Sequence, residues 1–463
     1  MSSNQMFSKK DLQKLIIPLI VEQILAVTVG MTDTIMVSIR GEAAVSGVSL
    51  VDSINVLLIG LFSALATGGA VVAAQYLGHK EKDKASEAAN QLILAVATVA
   101  IGIMLTAILL NKQILYLIYR KLDADVMSNA RKYFYIIALS YPFIAVYNAG
   151  AALFRAMNNS KISMNVSLCM NLINIAGNAF LLFVMHFGVE GSAIATLIAR
   201  IIGATYILLK LRNQTYDIHI SKKFSFKFNS QMVKRILRIG IPNGLENSIF
   251  QFGKIIVASM IAGLGTAAVT ANAVANTVSS LEVIPGSALG LAMITVVGQC
   301  VGANDLEQTK KYTWKLLRYA YLFLIALNFC VILLLNPIVS LYQLSDSTAV
   351  IAKQLMLYHS IFCMIIWPSS FTLPNALRAA NDVKFTMYVS IISMWIWRIA
   401  FSYFLVEVVK IGVIGVWIAM TIDWAFRATL FLTRFRRGGW IKYAFGEKFA
   451  KEHVKRKKAI PTV

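Results

Sequence analysis

The chain has 463 residues, 58% of them hydrophobic and 14% charged, with a formal net charge of +22. Soluble domains carry about a quarter charged residues, so this composition excludes a soluble enzyme, a disordered chain and a secreted disulfide scaffold. The basic residues sit at the ends of apolar segments, where they bear on membrane orientation and not on nucleic-acid binding.

The first fourteen residues, MSSNQMFSKKDLQK, are polar and basic. They lead directly into an apolar helix with no small-residue cleavage pattern, so that helix is retained as a first membrane span. Long apolar runs then recur at 15–38, 44–77, 89–110, 132–154, 163–185, 189–209, 236–262, 267–301, 316–342, 352–377, 385–407 and 411–433. Each suits a span of about 20 residues, and twelve spans put both termini on one side. Thirty-two of the 44 lysines and arginines lie in the termini and the loops after even-numbered spans, against eight in the other loops. This bias places both termini in the cytoplasm.

The chain therefore divides into an N-lobe (1–209, helices 1–6), a basic cytoplasmic linker (210–235), a C-lobe (236–433, helices 7–12) and a basic cytoplasmic tail (434–463). The tail interleaves its charges with Phe435, Trp440, Tyr443, Phe445 and Phe449. It reads as an interfacial segment on anionic lipid, with no nucleic-acid partner. Cys169, Cys300, Cys330 and Cys363 each stand in an apolar run without a C-x-x-C companion, so they read as free thiols without a metal.

The two halves match in sequence. Pro18 and Glu22 recur as Pro242 and Glu246; Gly41, Ala44 and Val45 recur as Gly265, Ala268 and Val269; Gln75 and Gly78 recur as Gln299 and Gly302. The segment from Phe154 to Lys161 answers that from Leu377 to Lys384, and Gly188 and Gly191 answer Gly412 and Gly415. The offset is 224 residues throughout, and 223 for the Phe154 segment alone. This predicts two homologous six-helix lobes in an all-α membrane protein. An even number of spans per lobe makes the repeats parallel, related by an axis along the membrane normal. Two such lobes suit a substrate cleft and alternating access.

Ten aspartate, glutamate, lysine and arginine residues lie well inside the runs, away from their ends: Glu22, Asp33, Asp52, Arg200, Glu246, Lys254, Glu282, Arg398, Asp423 and Arg427. A charge at such depth costs several kcal/mol unless it faces protein or water, which makes carboxylates functional candidates. Asp423 and Arg427 have i,i+4 spacing and read as a structural pair. Asp52 is only about eight residues into its run, so it reads equally as snorkelling or functional. Glu282 precedes Pro285 and serves either freed backbone groups or a cleft. Glu22 and Asp33, eleven residues apart, fall about 20° from eclipsed on one helix and about 16 Å apart along it. Pro18 and Pro242 are expected to bend their helices. Glu246 repeats Glu22, but Val257 stands where Asp33 would repeat, so only the first lobe has the deeper carboxylate. Asn171, Asn174 and Asn178 form one polar stripe, suited to helix–helix hydrogen bonds or to coordinating a hard cation.

Pro18, the Asp33–Val37 stretch, Ala74–Gly78, the Phe154–Lys161 segment and the Gly298–Gly302 echo, taken in order, resemble the multidrug and toxic compound extrusion (MATE) transporters of bacteria. The resemblance covers both lobes and the linker. It implies twelve helices in two bundles in the bacterial cytoplasmic membrane. It implies export of drugs and other organic compounds in exchange for protons or sodium, with no cofactor beyond that coupling ion. It carries the ion-coupling site to Asp33, fifteen residues after Pro18, with Asn174 and Asn178 on the fifth helix and Thr196 on the sixth. Na⁺ at these four residues is one form the site takes. Tyr133 and Asn148 become substrate-cleft residues, and many relatives have aspartate where Asn178 stands. A second branch of the family uses a glutamate eight residues after the seventh-helix proline. That position is Phe250 here, and Glu246 lies one turn earlier.

The expected function is an ion-coupled antiporter, acting as a monomer on organic, cationic small molecules. Glu22, Glu246 and Glu282 join the substrate-cleft candidates, and Glu246 is read as a capture charge and not as the partner of Lys254. The alternative is a flippase of lipid-linked saccharides, whose pyrophosphate would call for cations such as Arg200, Lys254 and Arg398. An enzyme would need a His, Asp or Glu cluster that the sequence lacks.

Overall fold

A computed structural model describes residues 5–119, 123–220 and 227–450; these are the described residues. They form helices and connecting turns, with no strand among them. Twelve segments account for the twelve apolar runs. The first six are α1 (Lys9–Ser38), α2 (Glu42–Gly78), α3 (Lys82–Leu109), α4 (Ala124–Leu139 and Tyr141–Ala156, 48° apart), α5 (Ser160–Val184) and α6 (Val189–Leu211). The second six are α7 (Ser230–Ala262), α8 (Thr266–Glu282 and Ile284–Gly302), α9 (Leu306–Leu333), α10 (Asp346–Ala379), α11 (Val383–Val408) and α12 (Val413–Arg437). Ten helices are each long and apolar enough to cross a membrane, and the bent pair in α4 makes eleven. The remaining segment, α7, carries Asn243, Glu246, Asn247, Gln251 and Lys254 and falls outside that set.

The chain packs as two compact units, Ser8–Gly244 and Leu245–Val463, the latter joined by Met1–Phe7. The division falls inside α7 because its first turns belong to the first unit. Gly68 on α2 makes this approach close: a Cβ there would lie 2.6 Å from the Ile236 carbonyl. Small residues on facing helices permit such packing where lipid supplies no hydrophobic drive. Within the first unit, Ile218 and Ile220 of the linker are buried. The Gln91 side chain holds both the Lys227 carbonyl and the Asn229 amide at 2.9 Å.

The repeat is visible in the backbone. Left-handed residues recur at Lys80 and Asn304, Asn158 and Asn381, and His186 and Lys410, with φ between 58° and 64°. Gly41 and Gly265, at 95° and 93°, precede α2 and α8, a conformation that glycine adopts at no steric cost. A π-helical turn at Ala179–Val184 is matched by one at Phe404–Val408. The second half has further π turns at Pro368–Thr372 and Met394–Ala400. The π turn at Met394–Ala400 lies between Arg378, at offset 223 from Arg155, and Gly412, at offset 224 from Gly188, where the second half gains one residue.

The expected bends at Pro18 and Pro242 are not breaks, since α1 and α7 run helical through both. A proline withholds the hydrogen bond to the carbonyl four residues earlier. For Pro18 that carbonyl is Lys14, and the Ser160 hydroxyl donates to it at 3.2 Å and to the Leu15 carbonyl at 2.6 Å.

The tail expectation is corrected in part. Phe435 and Trp440 do not lie on lipid: both are buried and stacked, with centroids 5.1 Å apart, and Arg434 pairs with Asp382 at 2.8 Å. Tyr443 and Phe449 are exposed. The basic residues after Ala450 lie outside the described residues.

Candidate functional site

The polar centre of the first unit is built from α1, α2, α4, α5 and α6. One helical turn separates Asn174 from Asn178, so both amides of α5 face the same way and both are buried. The Asn178 amide donates to Asp33 Oδ1 at 2.6 Å and to Asn174 Oδ1 at 3.2 Å, and Asn174 Nδ2 donates to Thr196 Oγ1 at 3.0 Å. Thus the four residues expected to form one site are joined in one hydrogen-bonded chain. An amide donating to Asp33 suits the ionised carboxylate. Asn178 Oδ1 is buried and has no hydrogen-bond partner, which leaves an acceptor unused beside the carboxylate. Asn171, third in the stripe, instead caps the Leu25 carbonyl at 3.1 Å and ties α5 to α1.

Two residues enter this centre that the sequence reading did not place there. Asp52 accepts from Asn55 Nδ2 at 3.0 Å and from the Tyr133 hydroxyl at 3.4 Å, and its charge acts on Asp33. Arg200, one turn after Thr196 on α6, attracts both Asp33 and Asp52 and donates to Ser140 Oγ at 2.7 Å. The Tyr141 hydroxyl closes the arrangement on Asn55 Oδ1 at 2.8 Å. Two carboxylates against one guanidinium leave a formal charge of −1. Asp52 thus brings a second carboxylate, from α2, near enough for its charge to act on Asp33. Its depth in an apolar run misled because α2 has 37 residues, more than a perpendicular span needs. Asn148 does not join the chain, and its buried Nδ2 has no partner.

The remaining carboxylate candidates are engaged by side chains of their own units. Glu22 pairs with Arg155 at 3.1 Å and accepts from Ser163 at 2.8 Å. Glu246 pairs with Arg378 at 2.7 Å and accepts from Ser390 at 2.7 Å. The reading of Glu22 and Glu246 as open substrate charges is corrected: each is buried against an arginine that the repeated Arg-Ala motif supplies. That motif was visible, but the pairing across about 133 residues was not. The Lys254 partnership is replaced by Arg378, as the helical distance required. Glu282 is also enclosed, 1% exposed, between His359 Nδ1 and Ser360 Oγ, each at 2.5 Å. Asp423 and Arg427 pair at 2.8 Å as the i,i+4 spacing predicted.

Comparison with known proteins agrees with this architecture. The MatE family model matches residues 18–180 and again 242–404, the same 224-residue displacement as the internal repeat. A probable multidrug resistance protein NorM of Thermotoga maritima is 28% identical over 455 residues, covering 94% of each chain. An uncharacterized transporter, YisQ, of Bacillus subtilis is 27% identical over 432 residues, covering 92% of this chain and 93% of its own. Among solved structures, an outward-facing multidrug resistance MATE family transporter superposes with TM-score 0.86 at 20% identity, covering 93% and 96% of the two chains. A MOP superfamily transporter from Pyrococcus furiosus, described as having a binding pocket of reverse polarity, gives 0.85 at 20% identity, covering 94% and 96%.

Proposed function

The chain belongs to the MatE family of membrane transporters, and from that premise we propose that it exports organic compounds in exchange for a cation bound at Asp33. The observation that carries this reading is the chain Asp33–Asn178–Asn174–Thr196, with an unused buried acceptor at Asn178 Oδ1. The coupling ion is cargo, either H⁺ or Na⁺. A proton would take the Asp33 carboxylate. Sodium would use the hard oxygens of Asp33, Asn174, Asn178 and Thr196, the donor type that hard cations prefer.

Asp52 and Arg200 give the centre its balance. The second carboxylate raises the pull on any cation, and the guanidinium limits it so that the ion can leave. In a weakly screened interior these charges act more strongly than in water. Ion binding neutralises Asp33 and reorganises its hydrogen bond to Asn178, which ties α1 to α5. Differential ion affinity between two access states is what allows one gradient to drive the other flux. The cytoplasmic placement of both termini and the seat of the basic tail on anionic lipid belong to the same proposal.

The test is uptake of a fluorescent organic cation into proteoliposomes or inverted vesicles, with proton and sodium gradients imposed separately. Gradient-driven uptake that Asp33→Asn abolishes supports the reading. Uptake unaffected by either gradient overturns it.

A further inference from the structure

The Leu245–Val463 unit carries four deep cations, Lys254, Arg378, Arg398 and Arg427, against three carboxylates, and Arg398 and Arg427 share Asp423. Three carboxylates lie deep in it, and each is engaged: Glu246 by Arg378, Glu282 by His359 and Ser360, and Asp423 by Arg427 and Ser393. Lys254 and Arg398 remain. Arg398 is 9% exposed, its Nη1 is 3.7 Å from Asp423 Oδ2, and neither its Nε nor its Nη1 has a hydrogen-bond partner. An unmet buried donor of this kind is costly, more so on a charged group.

Lys254 is exposed and lies eight residues before the end of α7, about 12 Å along the helix. A lysine at that depth is unfavourable against lipid. The charge that acts on it is Arg398, a repulsion. Phe250, one turn before Lys254 on α7, lies 5.9 Å from the Arg398 guanidinium and 5.4 Å from that of Arg427. Phe250 thereby ties the Lys254 stretch of α7 to the Arg398 π turn. The result is one exposed ammonium and one guanidinium with unmet donors, set beside the Phe250 ring.

We propose that Lys254 and Arg398 form an anion-accepting subsite that takes the carboxylate of a zwitterionic organic substrate, with the Phe250 ring against its aromatic body. The proposal rests on the export reading and names the substrate class it favours: compounds that carry a carboxylate as well as a cation. A guanidinium with a free Nε edge suits a planar carboxylate, and the ammonium adds a point charge.

The experiment compares two xanthylium dyes of equal cationic charge, a carboxyphenyl free acid and its ethyl ester. Their binding to the full-length protein in lipid nanodiscs is read by fluorescence anisotropy. The free acid should bind about tenfold tighter than the ester. Lys254→Gln should bring that ratio near one, Lys254→Arg should keep it, and Arg398→Gln should lower it. A ratio near one in the parent, a ratio unchanged in Lys254→Gln, or no binding of the free acid overturns the subsite. Gradient-driven uptake of the same dyes separates the two ideas. Tight, Lys254-dependent binding without ion-driven uptake would sink the export reading and leave the subsite standing.

Discussion

The two halves of this transporter share a backbone and differ in what they bury at its centre. Left-handed caps, the glycines before α2 and α8, a matched π turn and a buried Glu–Arg pair recur at offsets of 223 or 224. The polar centre of the first half does not recur. Asp33 is answered by Val257, Asp52 by Asn276, Thr196 by Met420 and Arg200 by Trp424. Asn178 is answered by Ser402, and the region of Asn174 by the additional π turn that holds Arg398. The repeat thus maintains the scaffold, while the net charge at mid-depth runs negative in one half and positive in the other.

The largest effect should fall on what the halves share. Glu22→Ala and Glu246→Ala each remove the buried carboxylate that pairs with a part-buried guanidinium, Arg155 or Arg378. Each should destabilise its protein by about 3–5 kcal/mol, the cost of breaking a buried pair by removing one partner. Thermal unfolding in detergent would show comparable losses for the two. A large loss in one and almost none in the other would break the equivalence of the pairs.

Next comes the charge of the centres. Asn178→Asp adds a carboxylate beside Asp33 and should tighten sodium binding about tenfold or more, by Coulomb attraction in a poorly screened site. Ser402→Asp, the repeat-related change, sits near Arg398 and should give no sodium gain. Calorimetric titration of both variants decides this, and equal gains would erase the polarity difference.

Two smaller effects refine the picture. Ser160→Ala should cost about 1 kcal/mol, because it withdraws the donor that serves the carbonyl released by Pro18. The repeat-related residue is Val383, which has no hydroxyl to lose, so Val383→Ala should cost only its apolar packing. Tyr133→Phe removes one long bond to Asp52 and should cost no more than about 0.5 kcal/mol. A multi-kcal/mol loss in denaturant unfolding would mean that Tyr133 holds the centre together.

Twelve spans, two lobes and the offset were legible because hydrophobic length and residue identity are properties of the chain itself. Asp33, Asn174, Asn178 and Thr196 were legible as a set through the family resemblance, and their hydrogen-bonded chain fits it. Three things were hidden, the first because it depends on partners distant in sequence. Arg155 and Arg378 were noticed as motif residues and not as the counter-ions of Glu22 and Glu246. Asp52 was judged by its depth in an apolar run, and the great length of α2 makes that depth uninformative. Phe435 and Trp440 follow a membrane helix in a basic tail, yet the chain turns back at Gly438, which has φ 75°, and buries both. Composition cannot distinguish an aromatic that meets lipid from one that meets its own protein.

The central claim is that ion coupling resides in the first half, at Asp33, and not in the half where Val257 stands. Uptake of an organic cation into inverted vesicles should be measured for Asp33→Asn and Glu246→Gln, under a proton gradient and under a sodium gradient. The account predicts that Asp33→Asn loses uptake under both gradients while the protein inserts normally, and that Glu246→Gln retains gradient dependence at whatever folded level survives. Wild-type uptake by Asp33→Asn under either gradient would contradict it.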